Sequence, residues 1–544
     1  MDNSVKKLID RSNKMFEDRY RLLQLWQEFA LNFYVIRADF TIDRSMGEEF
    51  AEHLLSSYPL LVQRDLANQV GAMLRPRQKE WYRMKVMDPD ISKKHDVIRW
   101  LQEKTAIQTR LMYSRGTNFR NATIMGDNDF TTFGNAVIQI DLNSNRDRLL
   151  YQNWHLRDCA WAENEEGMVD QLHHKWKPTA ADLVRKFGEN KVHQKVREAF
   201  QKDPLKKFEC RHIVMPADLY PDAKNQRNLP FVSLQIDTDN EFVMEEVPKN
   251  RFGFAVPRWA RVSGSPYAYS PASVTATPDA RLLQQMTLTI LEAGEKSANP
   301  PLIATQEMVT SDIAAYAGGV TWVDAEYDER MGDVLRPISQ DYRGLPFAHE
   351  MAEMIKQTIN EAFYINQLTL PPIEGGVTAY EISQRVQEYI RRALPLFEPM
   401  EIEYNGAICE ETFTCLFEAN AFGSKLDIPR ELRGANVEFE FESPLHDSLD
   451  ELKANKLPQS ANMLATAAQM DPTVMDIMDL RTAVRDSLQA IRVPQEWLRT
   501  PEQAQQLAKQ REEMMQAQEQ LAAGESAAKM IKGLSGAERD LAAA

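Results

Sequence analysis

The chain has 544 residues, a formal net charge of −16 and a hydrophobic content of 43%. That length exceeds one core and implies two to four structural units. The acidic balance argues against a protein that grips nucleic acid along a basic surface, since such binding needs Lys and Arg to neutralise phosphates, but it leaves room for one that DNA slides past.

From Val5 to about Phe33 the sequence reads as one long amphipathic helix, with Leu8, Phe16, Tyr20, Leu23, Trp26 and Phe29 returning at helical intervals. A second helix is expected around Leu60 to Leu74, ended by the breaker sequence RPRQKEW, and WYRMKVMD after it alternates like a strand. A long helix is expected from about Lys94 to Phe119. In GDNDFTTFGNAVIQIDL the alternation of Ala136, Ile138 and Ile140 predicts a strand after a tight turn. Residues from Leu149 to Phe254 are rich in strand signals (LLYQNWHL, GMVDQLHHKW, KFECRHIVMP, LPFVSLQID), broken by one helix from Thr179 to Phe187, so this region is expected to be α+β. His173, His174 and His212 tempt a metal assignment. Adjacent histidines on a strand point to opposite faces, however, and no carboxylate sits at ligand spacing, so a structural role is expected. Cys159, Cys210, Cys409 and Cys415 are scattered, with no CxxC pair, and are expected to be reduced and structural.

The loop GSPYAYSPASVTATP leads into three helix-grade segments between Thr277 and Phe417. The first, with Thr277 as N-cap and Pro278 at the first helical position, stops at Pro300-Pro301. Its roughly 21 residues would span about 30 Å. In the second, Phe347, Met351, Ile355, Ile359 and Phe363 recur at four-residue spacing and would bury a stripe against a neighbour. The third opens with a capping box, Thr378 and Glu381, and passes Pro395 and Pro399, which should kink it. Between the first two lies a small module with short strands PLIAT, VTWVD and DVLRPI. Its acidic run Asp324, Glu326, Asp328 and Glu329 is expected to be a solvated turn, with no Lys or His placed nearby as base or acid. Leu368–Val377 reads either as an ordinary helix–helix connector or as a loop in which Gly375 and Gly376 give mobility beside a stiff arm at Pro371-Pro372. Beyond it NVEFEFESPL reads as a strand. The remainder is helical, and past about Gln505 the Ala/Gln-rich tail has little to bury.

No G-x-x-x-x-G-K-[ST], G-x-G-x-x-G after a strand, G-x-S-x-G or H-E-x-x-H occurs, so nothing points to an enzyme, a nucleotide-driven motor or a cofactor. No run of about 18 apolar residues is present, and MDNSVKKLID lacks an apolar signal core. Neither membrane insertion nor secretion is expected, and synthesis in a host cytoplasm follows.

The order of these stretches resembles the portal, or head-to-tail connector, proteins of short-tailed bacteriophages. The resemblance runs nearly end to end, through LANQVGAMLRPRQKEWYRMKV, NFRNATIMGDNDFTTFGNAVIQID, LRDCAWAENEEGMVDQLHHKWKPTAADLVRKFG, SPASVTATPDARLLQQM, SANPPLIA, GGVTAYEISQRVQEYIRRALPLFEPM and IRVPQEWLRTPEQ. The chain departs from the family pattern before Thr378, where TLPPIEGGVTAYE stands in place of a more basic or Met-containing approach.

The resemblance implies a helix-rich α+β portal fold assembled as a ring of about twelve copies at a capsid vertex, with a channel for double-stranded DNA. Residues 1–276 would be the wing, 277–299 the first stem helix, 300–344 the clip, 345–367 the second stem helix and 368–377 the tunnel loop. Residues 378–445 would form the kinked helix and complete the wing, and 446–544 the crown. Pro371, Pro372, Glu374, Gly375 and Gly376 would face DNA, as would Lys296 and Lys356 on the stem wall, unless these lysines are solvated or bridge subunits. Leu282, Met286, Ile290, Met351, Ile355 and Ile359 would pack the stem. Trp322, Asp324, Glu326 and Asp328 would dock partners at the clip. Those partners would be the terminase large subunit and the tail adaptor, with major capsid and scaffolding proteins around the ring. Two other readings are a tail or scaffolding protein, suggested by the Ala/Gln-rich tail, and a packaging nuclease using the Asp324–Glu329 carboxylates.

Overall fold

The computed structural model describes residues 2–304 (less 46, 50, 77–79, 93 and 221–227), 322, 335–337, 344–368, 388, 392, 395–441 (less 425 and 426), 456–468, 479, 483–484, 487–488, 503–504, 506–507, 509–511 and 513–516. The helices begin with α1 (Asp2–Glu17), α2 (Tyr20–Phe33), α3 (Tyr58–Leu74), α4 (Pro89–Ser92), α5 (His95–Met112) and α6 (Phe119–Phe133). They continue with α7 (Ala180–Phe187), α8 (Gln194–Lys202), α9 (Pro271–Ala298), α10 (Leu345–Ala362), α11 (Ile365–Leu368), α12 (Ala407–Glu418) and α13 (Lys456–Ala468). The strands are β1 (Tyr82–Val86), β2 (Ile138–Leu142), β3 (Leu149–Asn153), β4 (Cys159–Glu163), β5 (Val169–Trp176), β6 (Cys210–Pro216) and β7 (Phe231–Asp237). After these come β8 (Phe242–Lys249), β9 (Phe254–Ala255), β10 (Ala260–Arg261), β11 (Ala268–Tyr269), β12 (Leu302–Ala304), β13 (Leu335–Pro337) and β14 (Val437–Phe441).

Two units emerge. The first comprises Met1–Arg83, Lys104–Asp427 and Phe439–Ser443; the second comprises Met84–Glu103, Ile428–Glu438 and Pro444–Ala544. In the second unit Val97 and Leu101 are buried, Lys94 lies 3.2 Å from Glu431, and α13 continues the helical character expected of the tail.

The first unit contains an antiparallel sheet in the order β4-β5-β6-β7-β8, sandwiched between helices. Alternation along β6 sends Ile213 and Met215 to one face, where Val5, Leu8 and Ile9 of α1 cover them together with Val232, Leu234 and Ile236. Cys210 points to the other face and packs with Leu183, Phe187, Val196 and Met244 under α7 and α8. The α7 start is fixed by a capping box in which Thr179 and Asp182 cap each other's backbone. α8, β4 and β8 are additional to the single helix and four strands expected here. A smaller sheet, β3-β2-β9, packs beside the helical part, where α2, α3, α6 and α9 meet.

The sequence expectation fails at three places for identifiable reasons. The expected single helix from Val5 to Phe33 breaks at Asp18–Arg19, because Arg19 is buried and donates to the Leu156 carbonyl at 2.7 Å and to the Arg157 carbonyl. This lets α1 cover the sheet while α2 joins the helices. The segment expected to be one helix to Phe119 followed by a strand is instead α5, a turn and α6, which runs through GDNDFTTF to Phe133. Gly126, the first residue of that stretch, sits inside α6, where a Cβ would lie 2.5 Å from the Tyr404 hydroxyl and 2.9 Å from Ile138. The real turn is Gly134, at φ 77°, whose Cβ would collide with the Tyr269 backbone. Third, α9 starts at Pro271, with Ser270 rather than Thr277 as N-cap, so Pro278 lies inside the helix. Ser270 accepts from the Ser273 amide and donates to the Thr131 carbonyl at 2.6 Å, which anchors the helix start on α6.

His173 and His174 lie on opposite faces of β5, and both are buried. His173 sits 2.6 Å from Gln171 and His174 packs against Trp154. Desolvation holds each ring down at about 3, so both are neutral packing groups. Among the described residues no cluster of His, Cys, Asp or Glu is arranged to hold a metal, and all four cysteines are buried and unpaired. Among the described residues no helix is long and apolar enough to cross a membrane.

Candidate functional site

The segment singled out by its helix signals is a two-helix hairpin standing off the first unit. Every fully buried residue of α9 (Ala272, Ser273, Ala276, Thr277, Ala280 and Leu283) lies in its first half, against α2 and α6. Small residues at these positions let the helix backbones approach. Gln284 marks the exit: its Oε1 accepts from the Leu55 and Ser56 amides, both at 2.8 Å, and its Nε2 donates to the Ser56 carbonyl at 2.8 Å. From there to Ala298 no residue of α9 is buried, a projection of roughly 20 Å.

α10 mirrors this pattern in reverse and packs along α9. Its C-terminal half holds the buried Ile355 and Ile359, and beyond it Phe363 sits 5.1 Å from Phe33 by ring centroids. Upstream of Ile355 the helix is largely open, with Ala352 alone buried. Phe347 is 65% exposed, Met354 66% and Met351 37%. The expected stripe is therefore buried within the chain only at Ile355, Ile359 and Phe363. At the free end β12 pairs antiparallel with β13, Leu302 opposite Pro337 and Ala304 opposite Leu335. This closes the base of the inserted module, as expected from PLIAT and DVLRPI.

The remaining candidates fall as follows. Met286 and Ile290 are half-buried where α9 meets α10, and Leu282 is exposed. Lys296 lies 4.0 Å from Glu292 and Lys356 lies 2.7 Å from Glu353, so each of these lysines is matched by a carboxylate of its own helix. Exposed pairs of this kind contribute at most about 1 kcal/mol. Trp322 is 68% exposed. Asp324, Glu326, Glu329 and Asp328 lie outside the described residues, as do the remainder of VTWVD, Pro371, Pro372, Glu374, Gly375 and Gly376, and the start of the third helix from Thr378.

The later part of that third helix is described. Residues 395–400 are helical, a π-helical turn follows at Glu401–Gly406, and α12 continues from Ala407. Pro399 has no N–H for the ladder, and the turn widens within two residues of it. Two polar clusters hold this irregular stretch. In one, Asn405 accepts from Arg75 at 2.8 Å and donates to the Leu74 carbonyl at 2.8 Å, while Arg75 pairs with Asp127 and stacks on Tyr404. Burial pushes the Asp127 carboxyl up and Arg75 pulls it back, so the two are held as a buried ion pair. In the other, Glu411 accepts from the Gly253 amide at 2.9 Å and lies 3.6 Å from Arg251, which also reaches Asp141 at 2.7 Å. Burial pushes Glu411 up to about 7 despite that arginine.

Gln284 and Asn405 were not singled out from the sequence, because single polar residues inside helix-grade stretches carry no periodic signal, and Ser270 fell in a stretch that reads as a loop. A family model described as "Bacteriophage head to tail connecting protein" matches residues 5–498. The chain belongs to this head-to-tail connecting family. It is 26% identical over 487 residues to a probable portal protein of Bordetella phage BPP-1, covering 87% of this chain and 85% of the relative. The portal protein of Salmonella phage epsilon15 is 20% identical over 434 residues, covering 78% of this chain and 76% of that protein. Among solved structures, a chain from "Neck of native GTA particle computed with C12 symmetry" aligns with a TM-score of 0.36 at 10% identity, covering 74% of this chain and 86% of the other.

Proposed function

We infer that the protein is the portal subunit of a tailed phage: a structural ring at one capsid vertex through which double-stranded DNA enters and leaves the head. The observation that carries this within the family is the α9–α10 hairpin, which projects from the body with Phe347, Met351, Met354 and Leu291 uncovered. A lone chain has no use for such a surface, whereas a ring of about twelve copies covers it with the same hairpin of a neighbour. In this reading 1–276 is the wing, 277–299 and 345–367 the stem, 300–344 the clip, 368–377 the tunnel loop, 378–445 the kinked helix with wing completion and 446–544 the crown. The clip, with Trp322, Asp324, Glu326 and Asp328, meets the terminase large subunit during packaging and the tail adaptor afterwards. Capsid and scaffolding proteins contact the ring from the head.

The role is that of a conduit rather than an enzyme. Lysines already matched by glutamates on the stem suit a wall that DNA slides past, because each unmatched cation on a phosphate adds about one unit to the salt slope of binding. The tunnel loop, 368–377, is then the segment that touches DNA. Deleting Pro371 to Gly376 within it should leave ring formation intact and reduce packaging or retention of DNA. Solution mass by light scattering tests the reading as a whole: a closed ring mass supports it, and a monomer or small open oligomer favours a tail or scaffolding role.

A further inference from the structure

We propose that the cavity between α1 and the sheet strands β5 and β6 binds a phosphate group. The cavity measures about 450 Å³ and is lined by Phe16, Arg19, Lys175 and Arg211, with three carboxylates and two further cations at its rim. The register places Lys175 opposite Arg211 on adjacent strands, on the same sheet face that α1 covers. Three cations therefore converge on one ring. Lys175 Nζ lies 3.9 Å from the Phe16 centroid, the Arg19 guanidinium 4.7 Å and the Arg211 guanidinium 5.4 Å.

The carboxylates are engaged by the two further cations rather than by Arg19, Lys175 or Arg211. Asp158 lies 3.2 Å and Asp43 3.7 Å from Arg157, and Glu209 lies 3.0 Å from Lys177. Arg19 is held only by main-chain carbonyls, and Arg211 donates to Asn13 at 3.3 Å. Both arginines are more than nine-tenths buried, and each leaves its Nε without a hydrogen-bond partner. Burial, reinforced by Arg211 and Arg19, pulls Lys175 down to about 8, and burial likewise lowers Arg19 and Arg211. Against three carboxylates the cavity sets five cations, leaving two positive charges. A phosphate carries roughly −1.5 to −2 at neutral pH and several acceptor oxygens, which matches that excess and the donors arriving from both strands and the α1–α2 break. A carboxylate would neutralise half of it.

Arg19 also lines a second cavity of about 610 Å³ with Trp161, Tyr267 and Tyr269. A phosphate bound at Arg19 thus has an aromatic pocket beside it, so free phosphate and the phosphate of a nucleotide are the two sources to separate.

The test is isothermal titration of the full-length protein with inorganic phosphate, with adenosine monophosphate and with glutamate, at constant ionic strength. Arg19 holds the α1–α2 break, so the variants are Lys175→Gln and Arg211→Gln, with circular dichroism confirming their fold. Saturable phosphate binding at one site per chain, weakened about tenfold or more in Lys175→Gln, is expected. Tighter binding of adenosine monophosphate than of phosphate identifies the nucleotide as the source, and equal binding identifies free phosphate. No saturable phosphate binding, equal affinity in folded variants, or preference for glutamate over phosphate overturns the proposal.

Discussion

Replacing Arg75 with Met tests whether the irregular third helix is held by a buried charge pair. Arg75 is 6% exposed and Asp127 is 4% exposed, so the Asp127 carboxylate would lose its countercharge with almost no water to replace it. Asn405 would lose its 2.8 Å donor at the same time. Breaking a buried pair from one side costs about 3–5 kcal/mol, whereas replacing both members with apolar groups is close to neutral. The single variant should therefore lose most of that amount, and Arg75→Met with Asp127→Leu should recover the greater part. The sign with pH follows from burial, which raises the Asp127 carboxyl: below its folded value the orphaned group takes up a proton, so the Arg75→Met defect should shrink as pH falls. Urea unfolding followed by tryptophan fluorescence and circular dichroism measures this, in an assembly-deficient background so that ring contacts do not mask the loss. A single-variant cost under about 1 kcal/mol, or a double-variant cost equal to the sum of the singles, would refute the reasoning.

Four further outcomes follow from the same structure. Phe347→Asp with Met354→Asp should leave the monomer's circular dichroism and unfolding midpoint unchanged, since both side chains are exposed, while abolishing ring formation in size-exclusion chromatography. Ile359→Asp, buried within the chain, should impair folding itself. Gly126→Ala should cost about 1–3 kcal/mol, because its Cβ would press on the Tyr404 hydroxyl at 2.5 Å, and a thermal melt reads this directly. Glu411 is raised from 4.5 to about 7 in the folded chain, so its contribution is present in full below pH 4.5 and is lost as pH rises through 7. Glu411→Gln should then be neutral near pH 4.5 and stabilising by up to roughly 3 kcal/mol at pH 8, seen as a flatter stability profile.

The parts of the fold legible in the sequence are those with long, regular patterns. The four-residue recurrence from Phe347 to Phe363 gave α10, and alternation gave β5, β6 and β7. What the pattern does not carry is the partner. Val5–Phe33 is continuous in its apolar period, and only the carbonyls of Leu156 and Arg157, far along the chain, account for the break at Arg19. The tight turn expected within GDNDFTTFGN falls at Gly134 rather than earlier, because Gly126 is held in α6 with Tyr404 against it. Thr277 and Pro278 form a sound local start signal, yet Ser270 offers another seven residues earlier, and its bond to Thr131 decides between them. The stripe along α10 was visible as a stripe. Which half of it is buried within the chain depends on where α2 and α3 end.

Electron microscopy of the purified protein tests the central claim most directly. Closed rings of about twelve chains with a central opening, lost in the Phe347→Asp, Met354→Asp variant, are the predicted result. Particles without a central opening, or rings that persist unchanged in that variant, would contradict the account.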